Sequence, residues 1–152
     1  MTQAELKEIL RKHALWLASE PGGVRANLRG ANLRGADLEN TKGLPPIACP
    51  EKGSFIGFKK ASGKIIELQI YADAKRSSAT TRKCRCSKAK VLSITNLDGT
   101  ACDTDSVASN HDRSFVYTIG KDVEVQDFCE DRWHECAPGI HFFTSRQEAV
   151  NY

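Results

Sequence analysis

Residues Ala26 to Asn40 read ANLRG ANLRG ADLEN, so one five-residue unit occurs three times in succession. Each unit starts with Ala, continues with Asn or Asp, and places Leu at its centre. A fixed period of this kind predicts a repeat element rather than part of a globular core. The repeat divides the chain into an N-terminal arm, the repeat itself and a longer C-terminal region.

These units resemble the A-(D/N)-L-x-x unit of the pentapeptide-repeat family, in which four units form one square turn of a right-handed β-helix. The resemblance implies that Leu28, Leu33 and Leu38 point inward, whereas Arg29 and Arg34 point to solvent. Three to four units give about one coil, and repeat units need neighbours to bury their faces. The DNA-like rods that long members of the family form are therefore not expected, and we interpret the element as a connector.

The composition is that of an ordinary globular protein. A chain of 152 residues with 40% hydrophobic and 27% charged residues accommodates one main core. The net charge of +3 is too small to indicate nucleic-acid binding by itself. Its distribution is uneven, with seven bases and no acid in residues 75–90 and ten acids against three bases in residues 98–135. The two segments either pair with each other or provide a basic contact surface.

The cysteines and the N-terminus predict where the protein is found. The chain has six cysteines, but it begins MTQAE and continues as an amphipathic pattern with no apolar signal segment. No window reaches the roughly 18 consecutive apolar residues of a membrane helix. We therefore expect a cytoplasmic protein with reduced thiols and no membrane partner.

A helix is predicted at the N-terminus. Thr2 and Glu5 fit a capping box, and apolar residues at spacings of three and four follow on one face. The sequence EPGG at 20–23 ends the helix, because Pro cannot continue it and Gly permits positive φ. The predicted domains are an amphipathic arm in residues 1–23, the repeat coil in residues 24–46 and a globular domain in residues 47–152.

Residues 47–152 predict mainly strands. Ile66, Leu68 and Ile70 alternate with polar residues, as in a half-buried strand, and residues 61–63 predict a hairpin turn before it. Further strands are predicted at 54–60, 84–94, 115–119, 123–125 and 140–143, and a last helix from Thr144 or Ser145 to Tyr152. The predicted fold class is α+β, with an N-terminal helix, about one coil of pentapeptide-repeat β-helix, and a mostly antiparallel sheet followed by a C-terminal helix.

Several phrases in residues 47–152 resemble an uncharacterised domain that often follows short pentapeptide repeats in phage and bacterial proteins. These phrases are CPEKGSFIGF at 49–58, AKRSS at 74–78, KCRC at 83–86, AKVL at 89–92 and GIHFF at 139–143. The resemblance implies a viral or prophage setting. It supplies no catalytic residues, because that domain has no established activity.

A zinc site is the first chemical hypothesis. Cys129, His134, Cys136 and His141 place four possible ligands within thirteen residues, but their spacing matches no standard zinc finger. A core histidine and small buried cysteines explain the same residues. We therefore predict no metal and no cofactor.

A nucleophilic thiol is the second hypothesis. Cys84 and Cys86 lie among cations, which lower a thiol pKa and favour the thiolate. No base and orienting acid accompany them in the sequence, although such partners can come from elsewhere in a fold. One intervening residue is also fewer than structural zinc sites usually have between paired ligands.

The segment from Lys75 to Arg85 is the predicted binding surface. It combines hydroxyl groups with cations in an expected loop, and such loops present N–H groups and guanidinium groups to phosphates. It lacks the glycines of a P-loop. The predicted binding residues are Lys75, Arg76, Ser77, Ser78, Arg82, Lys83 and Arg85. The alternatives are a docking surface for an acidic partner protein, a nucleotide or nucleic-acid backbone site, and a solvated loop that pairs with the acidic segment.

The predicted function is that of a non-catalytic phage or prophage accessory protein in the host cytoplasm. We expect it to bind a host or viral macromolecule through the basic segment, and a protein rather than a nucleic acid. The alternative is a nucleotide- or phosphate-binding protein, or a small enzyme that uses the same segment with His111 or His141 for proton transfer.

Overall fold

The computed structural model of the chain describes residues 2–27, 47–79 and 81–152. The chain divides into two compact units, residues 1–36 and residues 37–152. Most of the predicted repeat coil, including Arg29 and Arg34, lies outside the described residues. The coil and the bounds of the three predicted domains therefore stay predictions.

The first unit contains the helix α1 (Gln3–Leu17). Thr2 and Glu5 form the predicted capping box, in which the Thr2 N–H donates to Glu5 Oε2 at 2.7 Å and the Glu5 N–H donates to Thr2 Oγ1 at 3.3 Å. These bonds satisfy backbone donors that the first turn of a helix leaves open. After α1 the chain turns at Gly22, whose φ of +80° glycine adopts without strain.

The second unit contains nine strands and one helix among its described residues. In chain order these are β1 (Phe55–Ala61), β2 (Lys64–Ile70), β3 (Arg76–Ser77), β4 (Cys84–Cys86), β5 (Lys88–Asn96), β6 (Ser106–Ala108), β7 (Val116–Thr118), β8 (Asp122–Glu124), β9 (Ile140–Phe142) and α2 (Arg146–Asn151). Every strand pair is antiparallel, which confirms the predicted α+β class. Across the described ranges, no helix has the length and apolar character that a bilayer span requires.

The main sheet is built on the hairpin of β1 and β2. Ser62 and Gly63 close the hairpin with φ values of 49° and 69°. Two positive φ values give a turn that matches the right-handed twist of the flanking strands. Ile66, Leu68 and Ile70 on β2 are fully buried, as their alternation predicted. β5 pairs with β2 and β8 pairs with β5, so the strand order is β1-β2-β5-β8.

The predicted strand 84–94 is wrong in one respect, because the structure divides it into β4 and β5, which lie in different sheets. The division falls at Ser87, whose N–H donates to Lys75 O at 3.0 Å and whose hydroxyl accepts from the Lys75 N–H at 3.0 Å. β4 pairs with β3 and β9 in a three-stranded sheet. The two-residue strand β3 was not predicted, because it is too short to show a period.

Phe142 on β9 packs where this sheet meets the main sheet. The residue is fully buried, and a Cβ atom added to Gly57 on β1 would lie 2.6 Å from Phe142 Cδ2. A side chain at Gly57 would therefore displace the ring. Beside this contact, Phe58 and Phe143 exchange two backbone hydrogen bonds of 2.8 Å, so β9 lies against β1. The two sheets share one hydrophobic core.

A buried arginine holds residues 128–138 against this core. Arg85 on β4 is 2% exposed. Its Nη1 donates to the carbonyls of Cys129 at 3.0 Å and Pro138 at 3.2 Å, and its Nη2 donates to the carbonyl of Asp131 at 2.9 Å. The guanidinium also lies 5.6 Å from the ring centroid of Phe128. Residues 128–138 form neither helix nor strand, so these contacts fix a loop that has no strand partner.

Other arginines hold loops in the same way. Arg76 donates to the carbonyls of Pro50, Gly53, Tyr71 and Ala72, Arg132 to those of Ser78 and Ala79, and Arg146 to those of Asn96 and Leu97. A guanidinium carries five N–H donors and no acceptor, which suits it to several carbonyls at once. Much of the basic character of this unit therefore stabilises loops.

We expect the substitution Arg85→Met to lower the free energy of unfolding by about 2–4 kcal/mol, because it leaves buried carbonyl groups without a donor. Urea denaturation measures the change. Arg82→Met is the matched control, since the Arg82 side chain is 61% exposed and an exposed ion pair contributes less than about 1 kcal/mol. An equal loss of stability in both variants would contradict the role given to Arg85.

Candidate functional site

Three cations of the basic segment contact other side chains of the second unit. The pairs are Lys75 with Glu130, Arg82 with Glu148, and Lys83 with the hydroxyl of Tyr152. Glu130 belongs to the acidic segment, so the pairing between the two segments that the sequence left open occurs at Lys75. Lys75 and Arg82 are exposed and bonded to carboxylates, whereas Lys83 is half-buried and contacts a neutral hydroxyl.

The remaining predicted binding residues do not form an exposed loop. Ser77, Ser78 and Arg85 are 2%, 3% and 2% exposed. Ser77 Oγ accepts from Arg85 Nη2 at 3.4 Å, and Ser78 Oγ accepts from the Ala48 N–H at 2.7 Å. Arg76 donates to backbone carbonyls. The expectation of a loop is wrong for Arg76, Ser77 and Arg85, because these residues lie on β3 and β4, whereas Ser78 follows β3 and is buried. Binding by the segment stays a prediction.

The thiols of Cys84 and Cys86 are fully buried. Contact with the Cys49 thiol, followed by burial, raises the pKa of Cys84. Burial raises the pKa of Cys86 to about 12. Both groups therefore carry their protons at neutral pH, and a protonated thiol is a poor nucleophile.

A cleft of about 490 Å³ is lined entirely by residues from the range 109–141. Its buried lining residues, which we call the floor, are Tyr117, Ala137 and Ile140, with exposures of 2%, 2% and 1%. Its exposed lining residues, which we call the rim, include His111, Asp112, Glu124, Asp127 and Cys136. Phe115 and His141 are half-buried between the two.

The rim is acidic. Asp112, Glu124 and Asp127 form no ion pair with any residue that the structure describes. Ser114 donates to Asp112 Oδ1 from its hydroxyl at 2.6 Å and from its N–H at 2.9 Å, and these bonds lower the pKa of Asp112. The carboxylates are therefore available to a cation that enters the cleft.

His141 is neutral at physiological pH. Burial, and then the charge of Lys59, lower the pKa of His141 to about 4. Its Nε2 lies 3.2 Å from the carbonyl oxygen of Ala137. Because a carbonyl only accepts, we assign the proton to Nε2, which leaves Nδ1 with a lone pair. His141 thus carries a hydrogen-bond acceptor rather than a charge.

Tyr117 contributes a hydroxyl that has no protein hydrogen-bond partner among residues 2–27, 47–79 and 81–152. Burial raises the pKa of Tyr117, so the hydroxyl keeps its proton. Lys59 Nζ lies 5.8 Å from the centroid of the Tyr117 ring, and burial lowers the pKa of Lys59 to about 8.

The structure brings together only some of the candidate proton-transfer and metal-binding residues that the sequence indicated. His111 and His141, considered as proton-transfer residues, both line the cleft, as does Cys136 from the hypothetical zinc set. Cys129 and His134 do not line it, and no three His, Cys, Asp or Glu side chains in the described chain are placed to hold a metal ion. The cleft itself was not predicted. The excess of acids in residues 98–135 is the sequence feature that its rim reflects.

Comparison with known proteins gives a family and no activity. The family model described as "Family of unknown function (DUF5758)" matches residues 45–149, which include the whole cleft, and the model described as "Pentapeptide repeats (8 copies)" matches residues 24–42. Both resemblances seen in the sequence are thereby confirmed. No curated protein and no solved structure matches the chain.

We expect His141 to destabilise the protein in acid. Its folded pKa of about 4 is below the unfolded value of 6.5, so the unfolded state binds more protons between these values and stability falls as the pH drops through this window. His141→Gln should weaken this dependence, as measured by urea midpoints at pH 4.5 and pH 7. His134→Gln, in an exposed position, is the control. An unchanged pH dependence in His141→Gln would show that the ring is not held neutral.

Proposed function

The chain belongs to the family of unknown function (DUF5758), and we propose that this member is a non-catalytic protein that binds a partner protein through the cleft. The observation that carries the proposal is a concave site of about 490 Å³ with an acidic rim and an unpartnered tyrosine hydroxyl on its floor. This volume lies within the range of about 300–1,000 Å³ that is usual for ligand sites. A cytoplasmic location and a phage or bacterial host protein as the partner are part of the proposal.

The protonation states favour binding over catalysis. A general acid or base works best with a pKa near the working pH. His141 has a pKa of about 4, and hydrogen bonds from Ser114 lower the pKa of Asp112. The buried thiols of Cys84 and Cys86 have raised pKa values. None of these groups is poised to transfer a proton or to attack a substrate at neutral pH.

The contacts of the basic segment favour the cleft over that segment as the binding surface. A phosphate site needs free guanidinium and amide donors. Arg76 and Arg85 direct their donors to backbone carbonyls inside the unit. A nucleotide or an acidic partner would therefore have to compete with contacts that stabilise the fold. The basic segment is the weaker candidate for both.

We expect a charge reversal on the rim to abolish partner capture. The full chain carrying Glu124→Lys and Asp127→Lys should lose a partner that the unchanged chain retains from bacterial lysate, because both positions line the cleft. The comparison is made by quantitative mass spectrometry of immobilised protein. The matched control is Lys75→Glu with Arg82→Glu, which reverses two charges in the basic segment. Loss of the partner in the control alone would favour the basic segment and contradict the cleft.

A further inference from the structure

We propose that the group the cleft binds is a guanidinium, carried by an arginine side chain of the partner protein. This inference rests on the proposed function and specifies the chemistry of its site.

Asp112, Glu124 and Asp127 place three carboxylates on the rim, and none is in an ion pair with the described residues. Carboxylates accept hydrogen bonds and donate none. The rim therefore favours a cationic ligand that is rich in N–H donors.

Two residues at or beside the floor of the cleft have groups that accept hydrogen bonds. Tyr117 is 2% exposed, lines the cleft and has no hydrogen-bond partner for its hydroxyl in the described part of the protein. His141 carries its proton on Nε2, toward Ala137 O, so its other ring nitrogen accepts. Both groups can receive an N–H from a ligand. A single ligand group with several donors would satisfy the floor and the rim together.

The aromatic lining of the cleft favours a guanidinium over an ammonium. Phe115 and Tyr117 line the cleft with their rings edge to face, at a centroid distance of 5.3 Å and an angle of 63°. A guanidinium is planar, stacks on aromatic faces and is weakly hydrated, whereas an ammonium is compact and strongly hydrated. Phe115 lines the cleft and is half-buried, so it is the ring that remains accessible to a ligand, and we expect the cleft to favour arginine over lysine.

One group opposes a cation. Lys59 lies beside the Tyr117 ring, at 5.8 Å from its centroid, and has no ion-pair partner among the residues described. Its charge repels a cation on the floor and attracts an anion. A guanidinium must therefore sit toward the rim carboxylates, and an acidic ligand is the competing outcome that the test has to include.

The test titrates the full chain with four probes and follows backbone amide shifts by NMR. The probes are a Gly-flanked diarginine peptide, the matched dilysine peptide, the matched diglutamate peptide and free arginine. We expect the diarginine peptide to shift the amides of Phe115, Tyr117 and Asp127 and to bind at least about tenfold more tightly than the dilysine peptide, which corresponds to about 1.4 kcal/mol.

Matched variants locate the site. Glu124→Gln with Asp127→Asn should weaken the diarginine peptide at least about tenfold. Asp103→Asn with Asp105→Asn removes the same charge from exposed positions that do not line the cleft, and binding should be unchanged. All four positions are exposed, so the variants should keep the fold, which their amide spectra verify.

Each other outcome overturns a defined part of the proposal. Equal binding of the dilysine peptide, or preferred binding of the diglutamate peptide, rejects the guanidinium. Free arginine binding as tightly as the peptide keeps the guanidinium and rejects a partner protein. If no probe binds but the cleft variant still loses its captured partner, the guanidinium is wrong and the proposed function stands. If capture is also unaffected, both are wrong.

Discussion

The guanidinium of Arg85 is the contact on which the second unit depends. It lies on a strand of three residues, is 2% exposed, and reaches the carbonyls of Cys129, Asp131 and Pro138. Burial of a charge is costly unless hydrogen bonds compensate it. Here backbone dipoles supply that compensation, and in return the arginine orders a segment with no strand partner. Since Ala137 and Pro138 line the cleft, the same contact shapes its wall.

The parts of the fold that were predicted correctly are those with a local pattern. The capping box of Thr2 and Glu5 and the buried face of Ile66, Leu68 and Ile70 depend on neighbours in the sequence. The division of residues 84–94 was missed because no Gly or Pro marks it, and Ser87 turns the chain through bonds to Lys75. The alternation of apolar and polar residues along a strand does not show which distant segment the strand pairs with.

The candidate site was less predictable, because charge and protonation depend on tertiary contacts. From the sequence alone, Arg76 and Arg85 were predicted to be binding cations. In the structure, both donate hydrogen bonds to backbone carbonyl oxygens. His141 counts as a titratable base, yet burial and Lys59, from a distant strand, hold it neutral. Only the acidity of residues 98–135 carried over directly, since carboxylates such as Glu124 and Asp127 are exposed and form no ion pair with the described residues.

Arg85 donates its hydrogen bonds to main-chain oxygens of residues 128–138, and its guanidinium also lies against the ring of Phe128. A main-chain oxygen is the same for every amino acid. The exposed side chain of Cys136, which lines the cleft and lies in sequence between Asp131 and Pro138, can therefore be exchanged without removing a group that the arginine binds. The wall can thus acquire a new chemical character by point mutation, and related chains can diverge in what they bind while their framework is preserved.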